Sequence, residues 1–309
     1  MAILAWLRLL RLPNHATAAA DVLAGFLICS QARILELPQP VLWWALAAGV
    51  CLYAAGMVLN DVFDYELDRL ERPERPLPTG IISVRTAATV GYALLAMGSV
   101  LACIAAFISH QPAVALIGAA LTLAIWTYDR HAKQTAFGPA FMGICRTLNW
   151  LLGMAAAGGP AMPEQWLLPI GMGMYVTGIT LYARDEASRS RIATLVVATL
   201  LMLAGLTTTG AYAYCLATKG GGSAWLTAGR LDSWMLLWCV LSISILLRAV
   251  LGIIDPSPSR VRAAVGNAIM SIITLDAVLV LSSCSEQWAI VVILLLAPFL
   301  FGRQLVSVT

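Results

Sequence analysis

The stretch from Asn60 to Gly80, NDVFDYELDRLERPERPLPTG, holds six of the chain's 16 carboxylates (Asp61, Asp64, Glu66, Asp68, Glu71, Glu74) and three arginines (Arg69, Arg72, Arg75), in a chain only 11% charged. On a helix turning about 100° per residue, Asp61, Asp64 and Asp68 fall within an arc of roughly 60°. Carboxylates held that close repel one another unless a cation or a proton intervenes. Oxygen-only ligands of this kind suit Mg²⁺, which keeps waters and completes its shell with substrate phosphate oxygens. The pattern predicts a site for Mg²⁺ and a diphosphate. The competing reading is a solvated helix end, with Asp68 and Arg72 as an i,i+4 pair and Arg75 as an interfacial anchor. The scarcity of charge elsewhere favours the first.

The elements that must position these groups are membrane helices. Hydrophobic residues make up 60% of the 309, and the mean hydropathy is +0.84, far from a soluble domain. An all-α, polytopic bundle is expected, with nine or ten spans near 16–35, 41–60, 84–109, 112–128, 136–158, 166–184, 192–216, 232–252, 262–283 and 287–303. With the N-terminus in the cytoplasm, 14 of the 19 basic residues collect on the cytoplasmic side, against Arg33, Lys219 and Arg230 opposite. That asymmetry predicts an inner- or plasma-membrane protein whose polar loops share the cytoplasmic face. Residues 1–15 carry Arg8 and Arg11 inside an apolar run without a clear cleavage site, which reads as an amphipathic lead-in rather than a signal peptide.

Other chemistries find no support. The seven cysteines are scattered singly through apolar segments, and the three histidines lack metal-ligand spacing. No Walker-type loop or GxGxxG is present, so ATP-driven pumping and nicotinamide chemistry are unsupported. The net charge of +3 reports topology and attraction to anionic lipid, not nucleic-acid binding.

Arg146, inside the fifth apolar segment, is costly unless it faces a cavity and is paired. Asn149 lies one turn on, on roughly the same face. Asn14 and Asp21 at the first helix would complete a polar lining, although for Asp21 and Asp276 a bond to another helix is an equally good account.

The run Asn60-Asp61-x-x-Asp64-x-x-x-Asp68, followed by Arg72, Arg75-Pro76-Leu77-Pro78 and Gly80, resembles the first signature of the UbiA superfamily of intramembrane prenyltransferases. Tyr128 to Lys133 and Gly143-Ile-Cys-Arg146-Thr-Leu-Asn149-Trp-Leu-Leu-Gly153 resemble that family's loop after the fourth helix and its fifth helix. Within the superfamily, the ELDRLERPERPLPTG stretch and Tyr182-Ala-Arg-Asp185-Glu186-Ala-Ser-Arg189 look most like the EboC-like branch.

The resemblance implies one domain over 1–309, a bundle with a cavity open to lipid, and two acidic segments between which Mg²⁺ holds an isoprenoid diphosphate. Diphosphate loss leaves an allylic cation that a lipophilic acceptor, usually an aromatic ring, captures. Carried over by position, Asn60, Asp61, Asp64 and Asp68 form the first metal segment, with Asp64, Asp68, Lys133 and Arg146 catalytic. Arg72, Arg75, Arg130, Asn149, Arg184 and Asn14 contact the diphosphate or line its chamber, and Asp185 and Glu186 are the opposing ligands. The second segment departs from the family pattern: Ile179 stands where the first acid is expected and Arg189 or Ser190 where a later one is. Arg184 and Arg189 would then hold diphosphate directly. The sparse segment leaves open a second reading, a noncatalytic binder or transport component of a secondary-metabolite system. A structural scaffold is the third and leaves the carboxylates unexplained.

Overall fold

The computed structural model describes residues 2–31, 40–184, 190–223, 226 and 229–307, and among them there is no strand. In order the helices are α1 (Ala2–Leu9), a 3-10 turn (Leu12–Asn14), α2 (His15–Ser30), α3 (Pro40–Phe63), α4 (Tyr65–Glu71), α5 (Val84–Ser109) and α6 (Pro112–Thr127). A π turn at Tyr128–Ala132 prolongs α6 and is followed by α7 (Gly138–Ala156), α8 (Leu167–Tyr182), α9 (Ile192–Thr218), α10 (Leu231–Ile254), α11 (Pro258–Ser283), α12 (Glu286–Ile293) and α13 (Leu296–Ser307).

Helix starts follow local chemistry. Ser83 caps α5 by accepting the Thr86 N–H at 3.0 Å, and prolines stand in the first turns of α6, α7 and α11, where a missing N–H costs nothing. Among the described residues, six helices (α3, α5, α6 with its π turn, α9, α10 and α11) are long and apolar enough to cross a membrane. The count differs from the nine or ten spans expected. α2 and α8 have only 16 residues, α7 carries Arg146 and Asn149, and the last run divides into α12 and α13. Each expected stretch is nonetheless mostly helical over its described residues. α1 buries Ala5 and Leu9 and leaves Ile3 exposed, as an amphipathic lead-in does.

α2 is the hub. It packs against α3, α7, α11 and α12 and is buried around nearly its whole circumference, as a helix apolar on every face must be. Its seam with α7 is made by glycine. A Cβ on Gly25 would lie 2.7 Å from the Trp150 carbonyl oxygen, and one on Gly153 would run into the backbone of Val22. Backbones that close bring the side chains one and two turns away into register, which sets Arg146 and Asn149 of α7 against Thr17 and Asp21 of α2. Gly153→Val is expected to cost at least about 1–3 kcal/mol by overpacking, measured as a lower midpoint of thermal unfolding in detergent.

Aromatic side chains stitch the other half. Tyr175 donates to the Ala268 carbonyl at 2.9 Å and Tyr182 to that of Ala249 at 2.7 Å, while the indoles of Trp234 and Trp238 donate to Val278 and Leu206 at 2.9 and 3.1 Å. In an interior without water, these bonds satisfy the polar tip of each ring. Phe107, Leu116, Leu236 and Ile243 are exposed and face outward, as a lipid-contacting surface requires.

Candidate functional site

Asp64 stands between α3 and α4 as a one-residue break with φ −89° and ψ 1°. The helical register survives, because the Asp64 N–H donates to Asn60 O at 3.0 Å and the Asp68 N–H to Asp64 O at 2.8 Å. Two adjacent stripes result, Asn60 with Asp64 and Asp61 with Asp68. Beyond α4, the loop through Arg72 to Gly80 is pinned by the buried Leu77 and turned by Gly80, whose φ of 75° suits glycine. It returns Arg75 to the helix end.

Arg75 Nη1 pairs with Asp68 Oδ2 at 2.7 Å and with Asp61 Oδ1 at 3.4 Å. Arg11 Nη2 reaches the same Asp61 oxygen at 3.1 Å from the junction of α1 and α2. It can do so because Arg11 itself adopts a left-handed backbone, φ 49°, just before the Leu12–Asn14 turn. Desolvation is the largest single influence on Arg11 and lowers its pKa, but the Asp61 carboxylate, through charge and hydrogen bond, together with Tyr53 and Tyr128 outweighs it and leaves the pKa above the ordinary arginine value.

The second stripe meets the π turn. Lys133 Nζ pairs with Asp64 Oδ1 at 2.6 Å and donates to Asn60 O at 3.2 Å. Asn60 Nδ2 in turn donates to Asp129 Oδ1 at 3.1 Å. A π turn carries an extra residue per hydrogen bond and often marks a functional position. Here it brings Asp129 and Lys133 together onto α3.

Inward from these groups lies a cavity of about 220 Å³. Arg11, Asn14, Tyr128 and Asp129 line its polar end, and Leu52, Leu121, Ile125, Ile179 and Ile272 form apolar walls. Thr17, Arg146 and Asn149 add a polar patch to one side. Arg146 Nε pairs with Asp21 Oδ2 at 2.7 Å, and its other nitrogens donate to Thr17 Oγ1 and Thr17 O at 3.3 and 3.1 Å. Asn149 Nδ2 donates to Asp21 Oδ2 and to Ala18 O, both at 2.9 Å. An arginine inside an apolar helix is thus both paired and cavity-facing.

The structure therefore brings together Asn60, Asp61, Asp64, Asp68, Arg75 and Lys133 at the helix end, and Asn14, Arg146 and Asn149 in the cavity. The three aspartates do not converge on one point as the helical arc suggested. Cations divide them, Arg75 and Arg11 holding Asp61 and Asp68 while Lys133 holds Asp64. Arg72 closes α4 and makes no ion pair with any described residue. Arg130 is exposed and stacks over Phe63 at 5.3 Å. Arg184 is exposed on a separate cleft with Leu181, Arg191 and Thr194. Asp185, Glu186 and Arg189 lie outside the described residues.

Arg11, Tyr128 and Asp129 are functional candidates that sequence reasoning passed over. For Asp129 the signal was an acid at the end of an apolar helix, four residues before Lys133. For Arg11 it was masked by the general excess of arginine near cytoplasmic helix ends. Arg69, by contrast, pairs with the exposed Glu66 at 3.2 Å and lies over the Tyr65 ring at 5.7 Å. Arg69→Ala should leave unfolding and ligand binding at wild-type values, since exposed pairs contribute little.

The donor set fits Mg²⁺. Asp129 Oδ2 is buried without a hydrogen-bond partner, and Asp64 and Asn60 present hard oxygens beside it. Among the described residues no three His, Cys, Asp or Glu side chains form a metal cage by themselves. Mg²⁺ does not require one, because it takes one or two carboxylates and fills the remaining positions with water and phosphate oxygens.

The family model described as the UbiA prenyltransferase family matches residues 22–273. The digeranylgeranylglyceryl phosphate synthase of Methanoculleus marisnigri is 28% identical over 286 residues, 87% of this chain and 94% of that protein. Proteins of the same name from Metallosphaera sedula and Saccharolobus solfataricus are 32% and 33% identical over 132 and 171 residues, covering 42% and 55% of this chain. The chain thus spans about half the length of these two relatives, 43% and 56%.

Among solved structures, a UbiA homologue from Aeropyrum pernix K1 superposes with a TM-score of 0.59 at 18% identity, covering 87% of this chain and 98% of that one. A UbiA homologue from Archaeoglobus fulgidus, bound to GPP and Mg²⁺, gives 0.52 at 15% identity, covering 94% and 99%. At those identities the likeness establishes the fold, an integral membrane helical bundle. With the family model spanning most of the sequence and the acidic helix end set at the mouth of an intramembrane cavity, the chain belongs to the UbiA prenyltransferase family.

Proposed function

We propose that this protein is a Mg²⁺-dependent prenyltransferase that moves an isoprenoid group from a polyprenyl diphosphate to a lipophilic acceptor, with residues 1–309 acting as one domain. The observation that carries the reading is an apolar cavity whose polar end adjoins four aspartates and three cations, Asp61, Asp64, Asp68 and Asp129 with Arg11, Arg75 and Lys133. Such a site accepts an amphiphile with an anionic head and a hydrocarbon tail.

Asn60, Asp64 and Asp129 would hold the metal, with Asp68 joining them once Arg75 leaves it for phosphate, and the metal when bound neutralises the departing diphosphate. Arg75, Lys133 and Arg11 would exchange their carboxylate partners for phosphate oxygens, which such cations bind strongly. The walls from Leu52 to Ile272 exclude water while the allylic carbon is electron-poor. The acceptor then forms the new bond to that carbon and releases its proton. The relatives' name describes two geranylgeranyl groups on a glyceryl phosphate, so a prenylated glyceryl phosphate is the first acceptor to try. The distribution of basic residues supports a site facing the cytoplasm.

The test is binding of a radiolabelled isoprenoid diphosphate to purified protein with and without Mg²⁺, followed by product analysis. Absence of Mg²⁺-dependent binding rejects the reading. A second reading, an EboC-like binder or transport component without turnover, is favoured by one observation: residues 179–189 carry only Asp185 and Glu186 as acids. Tight binding without product formation across acceptors would select it.

A further inference from the structure

Behind Arg146 and Asn149 lies an arrangement that prenyl transfer does not account for. Asp21 of α2 and Asp276 of α11 are both completely buried, on helices that pack directly against each other, and each carboxyl lies within the other's electrostatic reach. Asp21 Oδ2 is satisfied by Arg146 and Asn149. Asp21 Oδ1 and both oxygens of Asp276 have no hydrogen-bond partner.

The surrounding helices supply Asp276 with no hydrogen-bond donor. Arg146 of α7 is committed to Asp21 and Thr17. Tyr175 of α8 gives its hydroxyl proton to Ala268 O. Tyr53 of α3 lines the cavity, which neither aspartate does, and the indole Nε1 of Trp150 is buried with no other hydrogen-bond partner and lies within reach of Asp21. Two ionised carboxylates against one guanidinium would leave a net negative charge in a dry interior, which is strongly unfavourable. The cavity lining stops at Arg146 and Asn149 and includes neither aspartate, so nothing there provides the polar volume a hydrated ion needs. A proton needs no volume, and it is itself the donor that the Asp276 carboxyl lacks.

We infer that Asp21 and Asp276 hold a single proton between them, forming a proton site in the membrane interior that keeps Arg146 in a neutral pair at the side of the cavity. Asp276 is thereby a positioning residue for Arg146, acting through Asp21. The assignment does not depend on the Mg²⁺ reading, and its test uses no substrate.

Infrared difference spectra of the full-length protein in nanodiscs, in H₂O and D₂O, are the measurement. Wild type should show a protonated-carboxyl carbonyl band that shifts on deuteration, equivalent to one group, and lost in both Asp276→Asn and Asp21→Asn. Asp64→Asn should keep it. Asp276→Asn should also unfold at the wild-type temperature, because the amide N–H replaces the shared proton, whereas Asp276→Ala should unfold earlier. A band unaffected by both asparagine variants overturns the assignment. So does stabilisation of wild type by Na⁺ or K⁺ that Asp276→Asn abolishes, which would make this a metal-cation site. If a variant does not fold, a wild-type spectrum without any exchangeable carboxyl band is sufficient to reject the proposal.

Discussion

The double substitution Asp64→Asn, Asp68→Asn should abolish Mg²⁺-dependent binding of an isoprenoid diphosphate and lower prenyl transfer by roughly 10²–10³-fold, the scale seen when a charge-stabilising group is removed from a dry site. Asparagine keeps the volume and a hydrogen-bonding oxygen but loses the charge that attracts the metal. The fold should survive, because each cation retains another partner. Arg75 still has Asp61 at 3.4 Å, and Lys133 still has Asn60 O at 3.2 Å. Unfolding midpoint and gel-filtration profile report on the fold, and equilibrium binding with and without Mg²⁺ reports on the site. Binding at wild-type strength in this variant would remove the first acidic segment from the mechanism.

Arg146→Leu should be the most destabilising single change at the cavity, by about 3–5 kcal/mol, since it leaves a buried carboxylate without its cation. Asp21 forms an ion pair with Arg146 at 2.7 Å and is completely buried, so water cannot take the guanidinium's place. Adding Asp21→Leu should recover much of the loss, because a buried pair replaced whole by apolar side chains is often neutral. The recovered variant should remain defective in ligand binding, as Asn149 also loses its Asp21 partner. A double-mutant cycle on denaturant unfolding measures the coupling. A single Arg146→Leu variant as stable as wild type would show that the pair is not formed in the membrane.

The acidic helix end illustrates how far local reasoning reaches. Asn60, Asp61, Asp64 and Asp68 could be placed on a membrane helix near an edge from hydropathy and a rotation of 100° per residue alone. Their division into two stripes could not, because it depends on Arg11 from 50 residues away and Lys133 from 69 residues beyond Asp64. The pairing of Arg146 was anticipated from the cost of a charge in an apolar helix. Its partner was not singled out, since Asp21 and Asp276 are alike in sequence terms and only packing tells which one the guanidinium meets. The short helices α2 and α8 were harder still. Their burial within the bundle relaxes the length that a lipid-exposed span would need.

What the sequence by itself determined is whatever depends on nearest neighbours and on the solvent: helices, their membrane character, the edge position of the acidic motif and its match to the UbiA signature. What only the tertiary structure decided is which charges meet. Gly25 and Gly153 bring α2 and α7 into backbone contact, the left-handed Arg11 turns α1 back over α3, and the π turn presents Asp129 with Lys133. These outcomes come from close packing among helices distant in the chain. In an interior without water, each buried charge must find its partner across such a seam.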